Sequence, residues 1–311
     1  MTTTTLAPIH GYVAHDDPVN HVVFSREGGL LASSDTAMRV KLWRFRQFVR
    51  EFDLRSISEK VRPTERIRGL CFNSAEDRLL VAAGEVVASF NLNSPSDQPE
   101  WAYTAPRLLA FLIVSPTSIA VSSDDELAAT FDNGTIAVWG PNGDRRALIR
   151  HNAVPRMLAY LPDESLIGSD GFSVSLWRKD QRKPVWHRSS KERIYGLAAS
   201  RDGKLVAVRQ LHRTEVFEIE SGAHVGGYKL GRGLPLVEFG PGTHTLAIGS
   251  QHAIDLYDVD AGSHARLSLD DAELISLTFF SDSSQIVAGC SDGTIRTWDN
   301  PLRQVFETNE A

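Results

Sequence analysis

The chain has 311 residues, 42% of them hydrophobic and 23% charged, with a formal net charge of −6 and two cysteines, Cys71 and Cys290. This composition excludes a disordered or fibrous chain and a disulfide framework, and the acidic balance argues against binding nucleic acid over the whole surface. No apolar run approaches the roughly 18 residues of a membrane span, and MTTTTLAPIHGY has neither a basic nor an apolar leader region, so a cytoplasmic protein (or a nuclear one) with no membrane contact is expected.

In chain order, seven segments share one pattern: an apolar strand, a turn, a strand of small and aliphatic residues, a second turn, and a strand ending in an aromatic. They read VNHVVFSREGGLLASSDTAMRVKLW, IRGLCFNSAEDRLLVAAGEVVASF, SIAVSSDDELAATFDNGTIAVW, RMLAYLPDESLIGSDGFSVSLW, IYGLAASRDGKLVAVRQLHRTEVF, LVEFGPGTHTLAIGSQHAIDLY and ISLTFFSDSSQIVAGCSDGTIRTW. The closing aromatics are Trp43, Phe90, Trp139, Trp177, Phe217, Tyr257 and Trp298, at successive spacings of 47, 49, 38, 40, 40 and 41. A period near 40 with four short strands per unit marks a β-propeller blade. Alternation of Val40 and Leu42 with Arg39 and Lys41 is strand periodicity, and Asn133-Gly134 and Asp292-Gly293 supply the positive φ of tight hairpins. A unit of this size cannot bury a core alone, so each needs its neighbours.

CSDGTIRTWD at 290–299 and the stretch from His15 to Trp43 resemble the WD-repeat family, and the resemblance extends over roughly 9–299. It implies an all-β fold: one closed seven-bladed β-propeller of four-stranded antiparallel blades. Residues 6–311 then form a single domain after a loose N-terminus at 1–5. Two segments could close the ring, 6–13 at the start and 303–308 at the end. The first is favoured, because overlap of the two ends locks the ring shut.

The resemblance also implies a His–Ser–Asp–Trp cluster inside blades. His15, Ser33 and Trp43 fit it in the first unit, with Asp35 two places early. His151 and Trp177 fit in the fourth, with Asp170 one place early. Asp292 and Trp298 fit in the seventh, where Asp270 stands in place of the histidine. No unit has the full set at standard spacing. As a nucleophilic triad, His15, Ser33 and Asp35 would need an exposed nucleophile and an oxyanion site; recurrence at blade positions favours structure over catalysis. No nucleophile elbow, zinc-protease motif or phosphate loop occurs, and the histidines lack ligand spacing, so no enzyme, metal or cofactor is expected.

The resemblance implies that partners bind the top of the ring, through positions six and four residues before the end of each first strand. These are Pro18 and Asn20, Arg66 and Arg68, Ser115 and Thr117, Val154 and Arg156, Arg193 and Tyr195, Gly233 and Pro235, Glu273 and Ile275. Four of the fourteen are arginine where composition predicts about one. Arg66, Arg68, Arg156 and Arg193, with Tyr195 and Asn20, are therefore the expected contacts for an acidic or phosphorylated segment of a protein partner. The blander reading pairs these arginines with Asp132 and Asp170. A second candidate is the basic stretch 41–68, where Arg44, Phe45, Arg46, Phe48 and Arg50 interleave charge with aromatics. It is a docking segment for nucleic acid or an acidic partner, or, more plainly, an outer strand and a loop. The stretch 91–107 reads as an exposed insertion, with Trp101 covering the blade or a partner. A recognition scaffold in a multi-protein assembly is the favoured function, a nucleic-acid-associated propeller the alternative, and a propeller-shaped hydrolase the third reading.

Overall fold

The computed structural model of the chain describes residues 5–44, 46–56, 66–104, 114–150, 156–179, 181, 183–229 and 236–303, Arg150 in its backbone only. Among the described residues its strands form seven sheets; five take four consecutive antiparallel strands from the axis outward, and the last two also take strands from the N-terminal segment. Blade 1 is Val19–Phe24, Leu31–Asp35, Arg39–Arg44 and Gln47–Asp53. The other innermost strands are Ile67–Phe72, Pro116–Val121, Met157–Tyr160, Ile194–Ala199, Val237–Phe239 and Leu274–Phe279. Neighbouring inner strands lie against one another around the whole circle, the seventh against the first.

The apolar interior is divided among the seams. Seven hydrophobic clusters occur, and each draws its residues from two adjacent blades: Phe52 of blade 1 with Phe90 of blade 2, Leu205 and Val216 of blade 5 with Leu246 and Ile248 of blade 6, Val287 and Ile295 of blade 7 with Leu31 and Trp43 of blade 1. Period-2 alternation explains the division. Successive side chains of a strand point to opposite faces of its sheet, so each blade contributes to the seam before it and the seam after it.

The N-terminal segment closes the ring. His10–Val13 pairs antiparallel with Thr294–Asp299 and serves as the outer strand of blade 7. The expected loose N-terminus is corrected at its last residue: Thr5 and Leu6 pair in parallel with Arg266 and Leu267 on the edge of blade 6. The alternative closing segment falls, from residue 304 on, outside the described residues.

One further expectation changes. The stretch 91–107 is not only a loop, because Trp101–Thr104 is the outer strand of blade 2 and Trp101 stacks on Trp139 of blade 3, ring centroids 6.4 Å apart. The basic stretch after blade 1 takes its plain form: Gln47–Asp53 is the outer strand, and Phe52 is buried in the seam against Phe90. Among the described residues, no helix is long and apolar enough to cross a membrane.

Candidate functional site: the face where the inner strands begin

The implied blade cluster is complete in blade 1, despite the irregular spacing of Asp35. Trp43 Nε1 donates to Ser33 Oγ at 2.7 Å, Ser33 lies 2.8 Å from His15 Nε2, and His15 Nδ1 lies 3.0 Å from Asp35 Oδ2. The donors fix the directions. Indole N–H can only donate and an ionised carboxylate only accepts, so the imidazole proton sits on Nδ1 and Ser33 donates to Nε2. Asp35 also accepts from the backbone N and Nε of Arg39, both at 2.9 Å. Burial alone would raise this carboxyl, but the bonds from His15 and Arg39 outweigh it and hold the pKa below the ordinary value.

These distances are those of a serine–histidine–aspartate triad, yet the hydroxyl cannot serve as a nucleophile. Ser33 is fully buried, His15 and Asp35 are sealed with it, and its oxygen already accepts the indole proton. The cluster is structural. In blade 7 the equivalent Trp298 Nε1 is buried without a partner, while Asp292 caps its own turn through Thr294 and Arg296. Asp170 likewise caps the turn to Phe172 and Ser173, and His151 lies outside the described residues.

Each inner strand begins on the face that carries the turns between second and third strands. Backbone bonds join the two features: Thr36 N to Pro18 O, Asp132 N to Ser115 O, Arg156 N to Ser169 O, Gly249 N to Leu236 O, and Ser291 N to Glu273 O. Five of the inner strands also break register just after they begin, leaving Asn20, Arg68, Thr117, Tyr195 and Ile275 out of the ladder. A bulge of this kind re-aims one side chain. Here it does so at equivalent points of five blades, and the five residues are those marked by the four-residue offset in the sequence.

Arg66, Arg68, Arg156 and Arg193 are all exposed on this face, and none forms an ion pair among the described residues. The guanidinium of Arg193 lies over the ring of Tyr195, 5.4 Å from its centroid. Asn20 is turned inward, accepting from Ser34 Oγ at 2.5 Å. The expected acidic partners also hold backbone groups of their own turns. Asp132 accepts from Ser115 N at 3.1 Å, and burial pushes its carboxyl up although the charge of Arg68 pulls it down. Phe172 and Leu211 add exposed apolar surface on the same face, beside Tyr195. Sequence reading missed both. Phe172 had a signal: it follows Asp170-Gly171 where the third and seventh units place Thr135 and Thr294 after the glycine.

The basic stretch lies elsewhere. Arg44 and Arg46 flank the turn from third to outer strand, on the opposite face, and Phe45 lies outside the described residues. Phe48 packs edge-on against Trp43, and Arg50 donates to Asp97 at 2.8 Å and to Ser94 O. Among the described residues, no three His, Cys, Asp or Glu side chains are grouped to hold a metal.

The family model described as WD domain, G-beta repeat matches residues 6–44 and 267–299, which hold the closing strand, the first three strands of blade 1 and most of blade 7. No curated protein matches the chain. With seven blades in a closed ring, the chain is a seven-bladed β-propeller whose first and last blades match the WD-repeat family model and whose first blade holds the complete blade cluster.

Proposed function

We propose that this propeller is a non-catalytic recognition scaffold in the cytoplasm that holds an acidic or phosphorylated segment of a partner protein against the face where the inner strands begin. One observation carries the reading: four arginines at the starts of inner strands are exposed on that face and form no ion pair among the described residues. Guanidinium forks match carboxylates and phosphates in two-point contacts, and a rigid ring holds them without further ordering. Phe172, Tyr195 and Leu211 would give such a segment apolar anchors beside the charge, the mixture typical of interface hot spots.

The probe is a fluorescein-labelled peptide of alternating aspartate and phosphoserine with one leucine, followed by anisotropy at two salt concentrations. Charge-assisted bonds contribute about 1.5–3 kcal/mol each, so the double variant Arg66→Glu/Arg68→Glu is expected to weaken capture by at least tenfold while the thermal midpoint stays unchanged. A charge-reversed ring that bound the peptide as tightly as the native one would overturn the proposal, as would tighter binding of a single-stranded RNA of equal charge.

A further inference from the structure

Strand alignment singles out one place on blade 5. The second strand of every blade carries, at its last or next-to-last residue, a side chain facing the next blade. In six blades that residue is small: Ser34, Ala82, Thr130, Ser169, Gly249 and Gly289. Its partner on the third strand is a β-branched aliphatic: Val40, Val87, Ile136, Val174, Ile254 and Ile295 respectively. The smallness has a steric cause. A Cβ on Gly249 would stand 2.8 Å from Leu274 Cδ2, and one on Gly289 2.6 Å from Val19 Cγ1, both on the inner strand of the following blade. In blade 5 the pair is Arg209 and Thr214.

Arg209 is 1% exposed, and none of its three guanidinium nitrogens has a hydrogen-bond partner; Thr214 is fully buried, and its hydroxyl has none either. Their neighbours on the same face, Ala207 and Val216, pack in the apolar core between blades 5 and 6. A guanidinium with every N–H unsatisfied in such a place costs several kcal/mol unless an opposite charge joins it. Among the described residues none is paired with it. Alternation puts Asp255 on the facing wall of blade 6, but that carboxylate already takes His264 at 3.2 Å and Arg266 at 3.2 Å. Consistently, burial alone draws the Arg209 pKa below its ordinary value, with no neighbouring charge contributing.

We propose that Arg209 and Thr214 form a buried receptor, between blades 5 and 6, for a small free oxyanion of the phosphate or sulfate class. The planar fork of the guanidinium gives two parallel N–H donors to a pair of anion oxygens, and the cross-strand hydroxyl donates a third bond. Enclosure favours a free ion over the side chain of a partner, which would have to enter with its backbone attached. The ion would act as a structural element of this one seam.

The test is thermal unfolding of the isolated ring in inorganic phosphate, with ionic strength held constant by sodium chloride, alongside calorimetric titration of phosphate into the native protein. A ligand that binds only the folded state raises the midpoint as its concentration passes the dissociation constant. The native ring is expected to show a saturable rise of several degrees. Arg209→Met should melt at or above the native midpoint without phosphate, because an unpaired buried charge is removed, and should show no rise with it. Thr214→Val, nearly isosteric and matching the other six blades, should fold normally and bind phosphate at least fivefold more weakly. The proposal fails if the native ring shows no saturable response to phosphate, or if both variants respond as the native ring does.

Discussion

Replacing Ser33 with alanine removes the one hydroxyl that joins Trp43 to His15. It leaves two sealed polar groups, the indole Nε1 and the imidazole Nε2, without the partners they hold at 2.7 Å and 2.8 Å. Each group stranded in this way costs about 1–3 kcal/mol, and the lost hydroxyl leaves too little space for a water to replace it, so the variant is expected to lose about 3–4 kcal/mol. Unfolding entropy of about 2.1 cal/mol/K per residue over 311 residues gives roughly 0.65 kcal/mol/K, which turns that loss into a fall of about 5 °C in the melting midpoint. Trp43→Phe removes only the donor and keeps the Ser33–His15 contact, so it should cost about half as much through this bond. Because both changes break the same bond, the double variant should fall short of the sum by 0.5 kcal/mol or more, in the range of coupling between residues in contact. Differential scanning calorimetry at neutral pH measures all three. A Ser33→Ala midpoint within about 1 °C of the native value, or strict additivity, would refute a hydrogen-bonded cluster that ties blade 1 together.

Three other outcomes are expected. Gly293 has φ +77° and a Cβ there would stand 2.2 Å from the backbone oxygen of His15, whereas Gly262 has φ +69° and open space around it; Gly262→Ala should cost only the backbone strain, about 1–2 kcal/mol, and Gly293→Ala considerably more, by denaturant titration. His244 sits between Asp260 and Asp202 at 2.8 Å and 3.2 Å; burial lowers its pKa, but the hydrogen bonds it donates to the two carboxylates and their charge outweigh that and hold it above the ordinary value. Its protonated form therefore stabilises the fold fully below about pH 6.5, and that contribution disappears as pH rises through the raised folded value, so stability curves of His244→Gln and the native ring should converge above that point. Burial pushes the Cys71 thiol up to about 12 and that of Cys290 up to about 11, so neither should react appreciably with a disulfide reagent at pH 8 until denaturant is added.

The ring itself was legible because its signal is repeated: seven aromatic-ended strands at a period near 40 outweigh the irregularity of any one unit. The blade cluster was half legible. Residue types identified His15, Ser33 and Trp43, but the early position of Asp35 obscured a bond that forms because the carboxylate, at the end of the second strand, reaches His15 Nδ1 from there. The outer strand at Trp101–Thr104 escaped because Ser94, Pro95, Ser96 and Pro99 give its surroundings the composition of a loop, while the strand they precede is only four residues long. The bulges could not be read at all. An extra residue at the start of an inner strand leaves the buried alternation beyond it intact, so no apolar pattern betrays it. Arg209 stood in plain view within LVAVRQ, yet its isolation depends on Asp255 being claimed by two other residues, a fact of three dimensions.

Bulges and seams divide the labour within each blade. A seam position is constrained from both sides, because its side chain must fit its own sheet and the inner strand of the next blade; that is why six residues as small as Ser34 and Gly289 recur there. A bulge residue stands outside the ladder, so its identity is less constrained by the neighbouring sheet: asparagine, arginine, threonine, tyrosine and isoleucine all occupy it here, Asn20 and Thr117 turning back to bond Ser34 and Thr130 and the others free to follow whatever meets the open face. Variety at bulges therefore needs only a binding role to explain it, whereas variety at a seam demands a structural cause. Arg209 violates the seam rule, and the partner it lacks among the described residues is what the proposed anion would supply.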